Sequence, residues 1–241
     1  MNDKLLDQFL WGFYGYGDWT APIWFLGMEE GGGENAAEVD RRLELWDSRG
    51  QPDLLDVHDL LGAVGNTDWI GEGNALQPTW AGLIRLLLSA QGKDSGNDAV
   101  RRFQGDVWGR TGSRTCAIEL FPLPSPSIRA WNYWEWSQSP HLINRMVYQH
   151  ATFSYRARRI VERIKKYSPK AVVCYGTTYH DYWEGVSGGS IGRAKGKIVR
   201  HAERGGTHWF VVPHPAARGV TPADFFKAGE LVGKIMGVGV A

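Results

Sequence analysis

Pro22-Ile23-Trp24-Phe25-Leu26-Gly27-Met28-Glu29-Glu30-Gly31 runs five apolar or ring residues into a glycine and then sets two carboxylates in a glycine-rich turn. An apolar run without polar alternation predicts a strand buried on both faces, as in parallel sheets. Three further runs of this kind follow: Thr115-Cys116-Ala117-Ile118, Ala171-Val172-Val173-Cys174-Tyr175 and His208-Trp209-Phe210-Val211-Val212. Between them the pattern predicts helices. Asn35 caps one running to about Asp47, Pro78 opens one with Leu83, Ile84, Leu87 and Leu88 on its apolar side, and the longest spans about Leu142 to Tyr167. Thr221-Pro222 opens the last, to about Met236. The stretch 49–77, rich in Gly, Asp, Asn and Pro, reads as loop with one short helical turn, and the prolines at 122, 124 and 126 take the chain out of the sheet. Strands alternating with helices imply a mostly parallel sheet covered on both faces, with ligands bound beyond the C-terminal strand ends. No repeat or low-complexity linker divides the 241 residues, so 1–241 reads as a single domain.

Composition narrows the function classes. With 43% hydrophobic and 22% charged residues the chain is neither disordered nor fibrous. Cys116 and Cys174, the only two cysteines, are too few for an iron–sulfur cluster or an all-cysteine zinc site and read as buried thiols. The seven histidines lack ligand spacing, so neither a metal nor another cofactor is expected. The longest stretch free of Asp, Glu, Lys and Arg, Gly205 to Ala217, has 13 residues and is too short to span a membrane. With no basic-then-apolar leader at the start, the expectation is a soluble, cytoplasmic protein. The net charge of +1 hides an asymmetry: residues 1–100 hold 17 acids and 6 bases, a net of −11, and the remainder 9 acids and 21 bases, a net of +12. The basic half carries Arg156, Arg158, Arg159, Arg163, Lys195 and Lys197, with Trp131, Tyr133, Trp134 and Trp136 nearby. Such a half either meets a polyanion such as nucleic acid or neutralises the acidic half across the fold.

Several familiar signatures fail. Gly185-Val186-Ser187-Gly188-Gly189 has the letters of a hydrolase nucleophile elbow but follows a helical segment rather than a strand. Gly192-Arg193-Ala194-Lys195-Gly196-Lys197 is too short for a phosphate loop, and Ile198 stands where a hydroxyl would bind magnesium. What remains is the set of strand ends: Glu29 and Glu30 after the first strand, Glu119 and Phe121 after the second, and His214 between Pro213 and Pro215 after the last. Each alone has a bland reading as a capping acid, a core ring or a turn histidine. Together at neighbouring strand ends they mark a candidate site.

These segments resemble the uracil-DNA glycosylase superfamily. Gly27-Met28-Glu29-Glu30-Gly31 is similar to its first motif, Val212-Pro213-His214-Pro215-Ala216-Ala217-Arg218-Gly219 to its second, and Cys116-Ala117-Ile118-Glu119-Leu120-Phe121 to the strand that supplies its base-reading Asn. The motifs fall in the family's order over residues 20–236, in a pattern most similar to the single-strand-selective monofunctional branch. The sequence departs from the family in three places. Glu29 stands where the family has Asp or Asn, Glu119 replaces the Asn, and Ala216-Ala217 replace Ser-Pro.

The resemblance implies a three-layer α/β/α sandwich with a central, mostly parallel four-stranded sheet, and a DNA glycosylase-like hydrolase that cleaves the N-glycosidic bond of a flipped-out base in DNA repair. Its partner would be DNA, single-stranded by analogy with that branch. Glu29 and His214 would be catalytic. Gly27, Met28, Glu30, Glu119, Phe121, Pro215 and Arg218 would line the substrate site, with Phe121 stacking on the base and Arg218 wedging into the strand or holding a phosphate. The six basic residues named above would contact phosphates. Two other readings stay open: a nucleic-acid-binding module that has lost catalysis, and a hydrolase of free nucleosides or nucleotides. Oligomeric state stays open too. For Glu119 the sequence favours an ionised carboxylate selecting a donor-rich base edge over a protonated one mimicking Asn, because neutrality beside Glu29 demands strong desolvation.

Overall fold

The computed structural model describes residues 1–71, 73–193 and 199–237. In chain order its elements are α1 (Asp3–Gly12), β1 (Gly15–Gly17), β2 (Ile23–Glu29), α2 (Ala36–Ser48), β3 (Leu54–Leu55), α3 (Val57–Val64), α4 (Pro78–Ala90), α5 (Asn97–Asp106), β4 (Cys116–Phe121), α6 (Tyr133–Trp136), α7 (Arg145–Tyr167), β5 (Ala171–Tyr175), α8 (His180–Ser187), β6 (Gly192–Arg193), β7 (Arg200–Arg204), β8 (Thr207–Val212) and α9 (Pro222–Ile235). Among the described residues the protein is α/β, and its strands form one sheet in the order β3-β1-β4-β2-β5-β8-β7-β6.

The four strands read from sequence are the parallel centre, β4-β2-β5-β8. Among the described residues the sheet nevertheless has eight strands, not four, and is mixed. β1 and β3 extend it beyond β4, with β1 antiparallel to β4, and the β7–β6 ribbon adds antiparallel strands beyond β8. The additions escaped the sequence because they are short or polar: Gly-Tyr-Gly has no apolar run, and Arg200–Arg204 is polar and largely half-exposed. The loop expected over 49–77 likewise contains β3, α3 and a 3-10 turn, Thr67–Trp69.

β2 is buried along six of its seven residues because helices cover both faces of the sheet. Trp24, Leu26 and Met28 point into one core, shared with α1, α2, α3, α7 and α8, while Ile23 and Phe25 point into the other, shared with α4, α5 and α9. The chain thus forms three layers. α7 is 23 residues long, roughly 35 Å at about 1.5 Å per residue, and runs antiparallel to the central strands. Its N-terminal turn therefore sits at their C-terminal ends, and its C-terminal turn sits at their start, where Tyr167 stacks on Trp19 beside Trp24. No helix among the described residues is long and apolar enough to cross a membrane.

Candidate functional site

The C-terminal ends of β2, β4, β5 and β8 open into a cleft of about 680 Å³, lined by Glu29, Glu30, Glu119, Tyr175 and His214 and, on its α4 side, by Trp69 and Trp80. Gly27 decides the geometry of its floor. In register, β4 brings Glu119 beside Gly27 on one side, and β5 brings Tyr175 to the other. A Cβ at position 27 would overlap both the Glu119 carboxylate and the Tyr175 hydroxyl. Because glycine has none, the two side chains meet above it, and the Tyr175 hydroxyl donates to Glu119 Oε1 at 2.6 Å. Glu119 Oε2 is out of solvent contact with no partner among the described residues. Burial pushes the carboxyl up to about 8, repulsion from Glu30 and Glu29 adding to it and the tyrosine hydrogen bond only partly opposing. Glu119 is therefore protonated at neutral pH. This corrects the expected ionised state: the missing ingredient was the depth of burial between two strands.

Glu29, the last residue of β2, is held differently. Arg145, the first residue of α7, forms an ion pair with its Oε2, and Gln149 one turn on donates to Oε1 at 2.7 Å. Asn144 caps the helix by accepting from Val147 N at 2.9 Å, which sets where Arg145 projects. Arg145 also donates to Ser125 Oγ and to the Ser127 and Ala130 carbonyls, pinning the 122–130 loop to the carboxylate. Burial raises the Glu29 carboxyl above its ordinary range, with Arg145 and Gln149 pulling against it. Glu30 turns away to a separate network. It accepts from the Tyr16 hydroxyl at 2.7 Å and pairs with buried Arg42 at 2.9 Å, which also holds Glu38.

His214 sits in a turn between its two prolines. The Ala217 amide donates to its carbonyl at 2.9 Å, and the Ala216 amide donates to its ring Nδ1 at 3.1 Å. Burial lowers the ring below the ordinary imidazole range. A neutral ring that accepts at Nδ1 carries its proton on Nε2. The site thus offers a neutral imidazole donor, a paired carboxylate and a neutral carboxyl on one cleft.

No known protein-family model matches this chain, and a search of curated proteins finds no match either.

Of the expected site residues, Met28, Glu29, Glu30, Glu119 and His214 line the cleft, and Gly27 lies under its floor. Pro215 packs toward Gly82 of α4 and so braces the histidine turn. Arg218 is exposed on the loop beyond it. Three expectations are corrected. Phe121 is fully buried against Tyr148 and Tyr182 and is core rather than a base-stacking ring. Arg156 is fully buried, donating to the Leu10, Phe13, Glu119 and Leu120 carbonyls with its guanidinium over the Tyr14 ring. Arg163 is buried, paired with Asp53 at 2.6 Å and stacked on Tyr14. Arg158 and Arg159 are more open, the latter paired with Glu162, but they ride the half of α7 that leads away from the cleft. Lys195 and Lys197 lie outside the described residues. Of the ring cluster, Tyr133 is core and Trp131 lies under Arg145, whereas Trp134 is exposed.

Sequence reasoning missed Arg145, Gln149, Tyr175, Trp69 and Trp80. Tyr175 had one usable signal, a polar-tipped ring ending an apolar strand before Gly176. Arg145 and Gln149 share a helix face at an i, i+4 spacing but look like ordinary surface residues until α7 is placed. Among the described residues no group of three or more His, Cys, Asp or Glu side chains converges as a metal site would require.

Proposed function

We propose that this chain is a glycosylase of the uracil-DNA glycosylase type, hydrolysing the N-glycosidic bond of a base flipped out of DNA, in base repair. The observation that carries the reading is the neutral His214, with its proton on Nε2, sharing one cleft at parallel strand ends with the Arg145-held Glu29 carboxylate. As the bond breaks, positive charge grows on the sugar and negative charge on the base. Glu29 is a fixed anion for the first, and lone pairs left over from its two protein contacts accept from the attacking water. His214 Nε2–H donates to the base oxygen that gathers negative charge, at no cost in reorganisation because the turn holds the ring. Glu119, protonated and held by Tyr175, sets a neutral carboxyl rather than a negative charge beneath the base. Activity then has an acid limb, as Glu29 loses its charge, and an alkaline limb near pH 8, as Glu119 gains one.

The test is abasic-site formation on a panel of oligonucleotides, each carrying one altered base. His214→Ala should slow single-turnover cleavage by about 10²–10³-fold with DNA binding retained. Cleavage of no member of the panel by wild type, or wild-type rates in the variant, would overturn the reading.

A hydrolase of free nucleosides is the second reading, favoured by one observation. The arginines expected to track a phosphate backbone are core or lead away from the cleft, and Arg42 and Arg145 at the cleft are already paired with carboxylates. Its mark is cleavage that hardly responds to salt.

A further inference from the structure

The cleft is far larger than one planar ring needs, and its far wall is unlike its floor. Where the floor is carboxyl, phenol and imidazole, the wall is apolar and aromatic: Leu60 and Leu61 of α3, Trp69 of the 3-10 turn, and Trp80 of the first turn of α4. Trp69 and Trp80 meet edge to face, with centroids 5.7 Å apart and planes at 73°, and both are half-buried. Trp69 follows a run of Gly, Asn, Thr and Asp and is followed by two glycines within four residues, a composition that by itself does not hold an indole in place. The fold holds it instead. The fully buried amide of Gln104 donates to the Trp69 and Ala75 carbonyls, each at 2.9 Å, and accepts from Gln77 N at 2.9 Å. Asn74 donates to the Trp69 carbonyl as well, at 2.9 Å. Gln77 in turn caps α4 by accepting from Trp80 N at 2.6 Å. One buried glutamine and one cap therefore fix the backbone beneath both rings, and the rings pack on the core and on each other.

We infer that Trp69 and Trp80 form a second subsite that stacks a nucleobase adjoining the one on the cleft floor, making a single-stranded oligonucleotide, not a free nucleoside, the ligand of the whole cleft. Pre-fixed indoles stack any base through its π-face, so the subsite carries affinity without sequence preference. This rests on the nucleic-acid reading above and chooses between its two substrates.

The probes are an eleven-residue oligothymidylate and an eleven-residue deoxyribose-phosphate strand without bases, with affinity read by fluorescence anisotropy and folding by circular dichroism. Trp69→Ala and Trp80→Ala should each weaken the oligothymidylate by about 5- to 150-fold while the base-free strand binds as before. Trp80→Phe should restore most of the loss, since a phenyl ring still stacks. Should an alanine variant fold yet bind oligothymidylate like wild type, or lose both probes equally, the subsite is refuted, as it is if wild type binds neither probe. Abasic-site formation is scored separately. Tryptophan-dependent binding without cleavage removes the catalytic reading and leaves the subsite standing. Cleavage with tryptophan-independent binding does the reverse.

Discussion

Glu29, the last residue of β2, and Glu119, two residues before the end of neighbouring parallel β4, reach the same cleft. Burial raises both carboxyls. Glu29 meets a guanidinium and an amide from α7, so the charged form has partners. Glu119 meets a phenol on one oxygen and no partner among the described residues on the other, and burial with repulsion from Glu30 and Glu29 outweighs Tyr175 and Arg156, so the proton stays. The same side chain in the same layer is thus split into two chemical species by what the adjacent element presents, the arrangement that lets one site hold an anion and an acid together.

Removing the guanidinium should do the most damage to this contrast. Arg145→Met leaves a buried carboxylate without its counter-charge and frees the 122–130 loop, at a cost of about 3–5 kcal/mol, the range for breaking a buried pair from one side. Denaturant unfolding measures it. An unchanged midpoint would mean that Glu29 does not depend on Arg145 and that the two carboxyls differ for another reason.

Next comes the acid. The folded pKa of Glu119 lies above its unfolded value, so the stability it contributes is fully present below the unfolded pKa and is lost as pH rises through about 8. Glu119→Gln keeps the shape and cannot ionise. Its stability relative to wild type should therefore improve by about 4 kcal/mol between pH 5 and pH 8.5. Parallel pH profiles for the two proteins would show that Glu119 is ionised throughout.

The smallest effect is expected where α7 leads away from the site. Arg158→Glu with Arg159→Glu should change stability by no more than about 0.5 kcal/mol, as for exposed positions generally, and should leave cleft binding of oligothymidylate within twofold. A collapse of binding in that double variant would restore the basic helix face as the DNA track.

How far the sequence could be read follows the range of the interactions involved. β2, β4, β5 and β8 were legible because a strand buried on both faces must be apolar along its length, and His214, Glu29, Glu30 and Glu119 were legible because they interrupt or follow such runs. The extra strands were not, since β1, β3 and β6 are only two or three residues long and β7 is polar. Arg156 shows the reverse failure. Its charge reads as solvent-facing, yet four backbone carbonyls from two segments converge on its guanidinium and make it core.

By itself the sequence determined the α/β class, the order of the central strands along the chain and which residues stand at their C-terminal ends, because these follow from local hydrophobic pattern and chain direction. Only the tertiary structure decided which side chains face one another there: that Tyr175 and Glu119 meet over Gly27, that Arg145 reaches Glu29 across more than a hundred residues, and that Gln104 holds Trp69. The physical reason is that a pKa, an ion pair or a stacking wall belongs to the space between elements, and the sequence pattern of one element carries no record of which neighbour packs against it.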